Sequence, residues 1–466
     1  MSAQITDYQG KHVHIIGIMG ASLCGLAELL HQQGYQVTGS DMKTTIFTPY
    51  VRKTGIPFTI GHSEENVKGA DLVVFSAAVP PTNIEYAYAV EHGIPVMERA
   101  TLVGQIMQQH KQAIGISGCH GKTTITSLLG LMFLLGEQDP TVHVGGVLDY
   151  LGEGGTRLGG GDVMVVESCE YRDSFLQFFP TVAVVNNIDD DHPDYFSSIE
   201  QAEQSYENFV ARLPENGVMV GCYDDPRVRA LMERCGKKTV SFGLSPEADW
   251  TAEAIEYDGQ GNASFVPVHN GTKLERVYLN LPGAYNVANA LCALCVATMF
   301  GVSEQAQREA CASYHAAERR FQFHGTVDDV NVYHDFAHHP TAVAKCMEAA
   351  LNVPHKKLWT VFQCNSFSRM HQFFDRFVEA FLPADCIIVA EIFPGREKDT
   401  GLVHGSQMVD ALKGLGKESY YIPTFDQIGA FLRERWQPGD MVLMVGSGNI
   451  NEYVWQILGE DGPRAL

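Results

Sequence analysis

The run GISGCHGKTT at 115–124 constrains this chain more than any other stretch. It closes an apolar, strand-like segment at 113–117 and leads directly into the helical pattern ITSLLGLMFLL. Strand, glycine loop and helix in that order demand an α/β layer. Gly118 and Gly121 permit a tight loop whose amides face phosphate oxygens, and the helix N-terminus adds a dipole that favours anions. In such a loop Cys119 and His120 lend backbone, Lys122 meets the β- and γ-phosphates as a point charge, and Thr123 offers a hydroxyl to Mg2+. Thr124 completes the set. The usual pattern begins with glycine at 116, where this chain has Ile116, and Gly115 lies one residue early. The plainer reading is an ordinary strand-to-helix turn. On the phosphate-binding reading, Lys122→Ala is expected to stop turnover and leave the fold intact, as a change on a surface loop.

Two more strand-like segments, 12–17 and 358–363, open stretches in which helical and strand patterns alternate, as they do in mostly parallel sheets. A further strand is expected near 330–333, and the glycine-rich stretch 151–161 reads as a surface loop. With 466 residues, about three domains are expected. The boundaries read as 1–108, 109–315 and 316–466. The fold class is α/β, with Rossmann-like first and third domains around a central P-loop ATPase-like domain with a mostly parallel sheet.

Composition narrows the function classes. Lys plus Arg is 33 and Asp plus Glu is 55, so the net charge is 33 − 55 = −22. That argues against nucleic acid and against a polybasic membrane contact. The start of the chain has no apolar run with basic flanks, and no stretch reaches 18 apolar residues, so a cytoplasmic bacterial location is expected. Cys292 and Cys295 lie in the apolar run LCALCVA and read as core thiols rather than zinc ligands.

Other residues group around the ends of expected strands. The opening HIIGIMGASLCGLAELLHQQGYQVTGSD carries Gly17, Gly20 and Asp41 in a strand–turn–helix–strand order that suits a nucleotide diphosphate. Met19 and Ser22 interrupt the full dinucleotide fingerprint, so a plain βαβ unit competes with this reading. Glu167 ends one expected strand, and Asp189, Asp190, Asp191 and His192 follow another. Together they could hold a hard metal or orient a nucleophile, or form only a solvated acidic turn. Asn286 and Asn289 share a helix face. Arg319 and Arg320 precede a strand, and guanidinium suits phosphate. Asp335, His338 and His339 sit in HDFAHHP, where adjacent histidines usually diverge, so a polar substrate or hinge site is preferred over a metal.

In this order the motifs resemble the Mur ligases of peptidoglycan synthesis. GCHGKTT is similar to that family's GTHGKTT. PGAYNVANA, ERRF, HDFAHHP and VFQCNSFSR are similar to its later motifs. The resemblance covers nearly the whole chain and is strongest to the alanine-adding branch. It implies three domains: a first for the UDP part of a sugar nucleotide, a central one for ATP, and a third that takes the amino acid and closes over ATP. It also implies phosphorylation of a carboxylate by ATP and attack of an amine on the acyl phosphate. The cofactors implied are ATP and Mg2+, and the partners are UDP-N-acetylmuramate and L-alanine, with the protein a monomer or dimer. Carried over by motif, Lys122, His192, Arg320 and Asp335 are catalytic. Gly118 to Thr124, Asn286 and Asn289 bind nucleotide. Thr123, Glu167 and His192 hold metal. Gly17, Gly20, Asp41, Ser76, Arg99, His338 and Arg369 bind substrate.

The departures lie in particular places. Met19 and Ser22 replace family glycines, Cys119 replaces threonine, and His334 and Phe336 flank Asp335 in place of Asp and Tyr. Cys364 and Asn365 stand where the family has Pro and His. They leave open a paralogue using another amino acid or a muropeptide, and a nucleotide-binding sensor without turnover. A nicotinamide dehydrogenase would leave GKTT unexplained.

Overall fold

The computed structural model describes residues 3–459 apart from 147, 152–154, 193–194, 316–318 and 396. The chain divides into two compact units. One comprises Met1–Glu253, Val266–Val277 and Ala288–Tyr314, and the other Ala254–Phe265, Tyr278–Val287 and His315–Leu466.

The first unit opens with a five-stranded parallel sheet in the order Phe58–Ile60, Gln36–Asp41, His12–Ile16, Leu72–Phe75, Val96–Glu98. Val13, Ile15 and Ile16 are all buried, as expected of a strand covered on both faces. Ile16 pairs with Ser40 and with Phe75. The register therefore brings the loop at Gly17, the carboxylate of Asp41 and the segment containing Ser76 to one edge of the sheet.

The same unit holds the parallel core of a second sheet. Gln112–Ser117 lies between Val163–Glu167 and Val182–Val185, with Ile116 opposite Glu167 and Ser117 opposite Val185. Val218–Cys222 and Lys238–Phe242 continue on one side, and Thr141–His143 on the other. The stretch read as a loop at 151–161 contributes an edge strand, Thr156–Arg157, antiparallel to Thr141–His143. Too few side chains alternate there for a strand to show in the pattern. The helix Lys122–Leu135 packs Ile125, Leu128, Leu129, Met132 and Phe133 without exposure. A helix that is apolar nearly all round belongs in a core.

The second unit carries a six-stranded sheet in the order Gln322–Val327, Val330–Asp335, Met441–Val445, Leu358–Phe362, Cys386–Val389, Glu418–Tyr421. Its first pair is antiparallel and the rest are parallel. All eleven cysteines are free, and Cys292 and Cys295 are buried. Among the described residues no helix is long and apolar enough to cross a membrane.

Candidate active site at the central glycine loop

Residues 118–121 turn between the strand Gln112–Ser117 and the helix Lys122–Leu135. Two asparagines that the sequence reading passed over hold this turn. Asn187 accepts from the His120 amide through Oδ1 at 2.8 Å and donates to the His120 carbonyl at 3.0 Å. Asn186 donates to the same carbonyl at 2.9 Å and to Asn289 Oδ1 at 3.2 Å. Gly121 has φ +82°, and a Cβ there would lie 2.5 Å from Asn186 Nδ2 and 2.6 Å from Asn289 Oδ1. Only glycine fits such a position. Cys119 turns its thiol away to the Asp189 backbone, accepting at 3.3 Å and donating at 3.5 Å. Burial, with Glu170 and Asp191 nearby, pushes that thiol well up. His120 Nε2 lies 3.4 Å from Asp189, and the Thr124 carbonyl accepts from Ser127 at 3.2 Å.

Lys122 does not stand on a surface loop. Its side chain is 11% exposed, and Nζ lies 2.9 Å from Glu170, which is 1% exposed. It also donates to the carbonyls of Gly118 and Cys119. Burial pushes the ammonium down, but the Glu170 carboxylate more than offsets it, so Lys122 stays charged. Burial likewise pushes Glu170 up, and Lys122 and His192 together bring it below the ordinary range. His192 Nε2 lies 3.4 Å from the same carboxylate. Burial lowers the imidazole pKa, and the hydrogen bond to Glu170 and the charge of Asp191 raise it further than burial lowers it. The expected acidic turn is therefore partly a buried charge cluster: Asp191 is buried and accepts from the His192 amide at 2.8 Å. Glu170 is the member that sequence reasoning missed.

Thr123 and Glu167, both expected to hold metal, meet. The hydroxyl donates to the two carboxylate oxygens at 3.2 and 3.3 Å, and the Gly145 amide donates to one of them at 3.0 Å. A hydroxyl and a carboxylate are hard oxygen donors, the chemistry Mg2+ takes alongside phosphate and water. The donor set fits that ion, and the glycine turn beside it fits phosphate.

At the edge of the first sheet, the Gly17 and Ile18 amides donate to the Ser40 carbonyl at 2.8 and 3.1 Å. Asp41 accepts from the Met19 amide at 3.0 Å. Met19 sends its side chain into the core, where Thr48 donates to its sulfur at 2.9 Å. Gly20 donates to the Gly17 carbonyl at 2.9 Å. Ser76 and Arg99 follow the neighbouring strands Leu72–Phe75 and Val96–Glu98. All five expected substrate residues of this sheet thus share its carboxyl edge, where ligands of open α/β sheets bind.

The Mur ligase family, catalytic domain, matches residues 12–111, the Mur ligase middle domain matches 116–297, and the Mur ligase, glutamate ligase domain, matches 319–448. The chain belongs to the Mur ligase family. It is 41% identical over 451 residues to the UDP-N-acetylmuramate–L-alanine ligase of Caldanaerobacter subterraneus, covering 97% of this chain and 98% of the relative. It is 40% identical to the enzyme of the same name from Acetivibrio thermocellus, covering 94% of each. Among solved structures, the UDP-N-acetylmuramate–alanine ligase of Thermotoga maritima superposes with a TM-score of 0.81 at 25% identity, covering 96% and 98% of the two chains. The murein peptide ligase of Psychrobacter arcticus shares the fold, with a TM-score of 0.69 at 24% identity, covering 98% and 100%.

Of the remaining Mur ligase motifs, Asn286 and those from Arg319 onward fall in the second unit, and Asn289 in the first. Asp335 is buried, and its two oxygens accept from the Phe321 and Ala337 amides, each at 2.7 Å. Burial pushes its carboxyl up, and Arg320 opposes that only in part. The carboxylate therefore orders the turn that carries Arg320. The Arg319 and Arg320 guanidiniums lie 4.7 and 5.4 Å from the Phe336 ring centre, so Phe336 offers them an aromatic face. His338 faces the Phe336 carbonyl at 3.0 Å, and His339 is buried against Phe373, so the adjacent histidines diverge. Asn286 donates to the Pro282 carbonyl at 2.8 Å. Arg369 belongs to the short helix Phe367–Gln372, capped by Ser366 at 3.4 Å. Asn365, in place of the family histidine, donates to Ser447 at 2.9 Å, and Cys364 is a buried thiol.

Proposed function

We propose that this chain is an ATP-dependent ligase that joins L-alanine to the carboxylate of UDP-N-acetylmuramate. One observation carries the reading: the glycine turn, the Lys122 cation and the Thr123–Glu167 oxygen pair meet at one helix N-terminus in a chain 41% identical, nearly end to end, to an enzyme of that name. A carboxylate is a poor acylating agent until phosphate becomes its leaving group. In the proposed reaction the sugar-nucleotide carboxylate takes the γ-phosphoryl of ATP, and the free amine then displaces phosphate to give the amide.

The residues divide by task. The glycine turn at 118–121 and the side chain of Lys122 hold the phosphates, and Lys122 stabilises charge spread over the transferring group. Thr123 and Glu167 would hold Mg2+, which when bound neutralises phosphate charge. Glu170 fixes Lys122 and His192, and His192 is the group from which a second cation or the amine is organised. Asn286 and Asn289 serve the adenine side, and Arg320 and Asp335 the nucleotide phosphates and ribose. Gly17, Gly20, Asp41, Ser76 and Arg99 bind the sugar nucleotide, and His338 and Arg369 the amino acid. The three domains are 1–108, 109–315 and 316–466, acting in the cytoplasm.

A second reading, a ligase for another amino acid, is favoured by Cys364 and Asn365 in the proposed amino-acid segment. One assay separates the two: phosphate release from ATP and Mg2+, with and without UDP-N-acetylmuramate, across single amino acids. Release that needs the sugar nucleotide and is greatest with L-alanine supports the first reading. Equal or greater release with another amino acid supports the second, and none with any combination refutes both.

A further inference from the structure

Ser22 stands where the family has glycine, and the structure gives its hydroxyl two partners from elsewhere in the first unit. Ser22 Oγ lies 2.8 Å from His143 Nε2, and Arg99 donates to it through Nη1 at 3.5 Å. His143 Nδ1 in turn lies 2.7 Å from Thr156 Oγ1. His143 and Thr156 are buried and opposite one another in the edge pair of the central sheet. The helix Leu23–Gln32 lies directly on that strand: a Cβ on Gly25 would sit 2.0 Å from Thr156 Oγ1.

Donor arithmetic permits a continuous order along this chain. Guanidinium can only donate, so Ser22 accepts from Arg99, and its own hydroxyl proton remains available for His143 Nε2. When the Ser22 hydroxyl donates to it, Nε2 is the bare nitrogen and Nδ1–H donates to Thr156. Burial, followed by the positive charge of Arg99, pushes His143 down to about 3, which keeps it neutral and suited to that role. Two residues beyond His143, the Gly145 amide holds Glu167. The relay thus ends beside the strand end that carries the proposed metal carboxylate.

We propose that Ser22, His143 and Thr156 form a hydrogen-bonded relay that positions Arg99 for the anionic sugar nucleotide, so that a residue of the central sheet governs affinity at the first. The proposal rests on the reading of the chain as a ligase of that substrate. Ser22 and His143 are positioning residues, and Arg99 is the contact.

The test uses the full chain, with calorimetric titration of UDP-N-acetylmuramate and steady-state kinetics. Ser22→Ala is expected to raise both Kd and KM for the sugar nucleotide about tenfold, the scale of one hydrogen bond to a charged group. KM for ATP should move less than twofold and kcat less than threefold. His143→Leu should match Ser22→Ala, and His143→Gln, whose amide oxygen can accept from Ser22, should recover most of the affinity. Ser22→Ala combined with Arg99→Ala should bind no more weakly than Arg99→Ala alone. Thermal melts identify any misfolded His143 variant, and the Ser22 comparison then decides. An unchanged KM in Ser22→Ala, or full additivity with Arg99→Ala, overturns the relay while leaving the ligase reading in place. A wild-type protein that does not bind UDP-N-acetylmuramate overturns both.

Discussion

Replacing Lys122 by alanine removes more than the proposed phosphate contact. The ammonium is the near partner of a carboxylate that is 1% exposed, 2.9 Å away. Its loss leaves Glu170 buried with His192 as the remaining cation, at 3.4 Å. Breaking a buried pair from one side costs roughly 3–5 kcal/mol. His192 offsets part of that, so the lower figure, about 3 kcal/mol, is the expectation. At about 2–4 °C per kcal/mol for a domain of this size class, the melting temperature should fall on the order of 6–12 °C. Removing both charges, as in Lys122→Met with Glu170→Gln, leaves no unpaired carboxylate. A buried pair replaced by neutral groups of similar size is often neutral in stability, so the double variant should regain most of the lost melting temperature. Turnover should stay at least about a thousandfold down in both, since the cation proposed to face the transferring phosphoryl is gone.

Scanning calorimetry on the wild type, Lys122→Ala, Glu170→Gln and the double variant, with phosphate release measured on each, separates the two roles of the lysine. A Lys122→Ala protein that melts with the wild type would refute the charge-pair argument. So would a double variant no more stable than Lys122→Ala. Full turnover in the double variant would instead refute the assignment of Lys122 to the phosphates.

Gly121→Ala should raise the KM for ATP more than about tenfold and destabilise the turn by roughly 1–3 kcal/mol, because alanine resists a φ of +82° and its Cβ meets Asn186 and Asn289; a normal KM would refute the loop assignment. Thr123→Val and Glu167→Gln should each raise the Mg2+ concentration for half-maximal turnover about tenfold, as removal of a metal-site group commonly does; identical Mg2+ titration curves would place the metal elsewhere. Acid should destabilise the fold through histidines buried in neutral form. Burial, first among the causes at each, lowers His14 to about 4 and both His143 and His334 to about 3. The folded state then binds fewer protons than the unfolded one below pH ~6.5, so stability falls as pH falls, by roughly 3 kcal/mol per histidine at pH 4. A urea midpoint at pH 4.5 equal to or above that at pH 7 would refute this.

The glycine turn was legible because its chemistry lies in consecutive residues, where spacing alone fixes what can face a phosphate. Thr123 and Glu167 were legible for a related reason. One opens the helix after a strand and the other ends the adjacent parallel strand, and parallel strands bring such ends to one edge. Glu170 was not legible, because nothing local marks a glutamate three residues past a strand end as buried. Its burial follows from Lys122, 48 positions earlier, and from His192. The same ignorance of partners made Lys122 look like a surface residue. Asn186 and Asn187 carry no local signal after VV, and only the register of Ser117 against Val185 places them over the loop.

The two substitutions in the first loop show how a departure from a family pattern can keep the loop's backbone geometry. Glycine is needed where φ is positive or where another backbone comes close. Gly17 keeps that role at φ +85°. Met19 and Ser22 do not need it. The Met19 amide still donates to Asp41 while its side chain goes to the core, and Ser22 has a right-handed backbone with its hydroxyl on His143 and Arg99. A family glycine at such a site marks permitted space rather than required conformation. Each replacement here fills that space with a group that has partners. A broken glycine motif thus counts against ligand binding only where the new side chain lacks such a place, and at Met19 and Ser22 it has one.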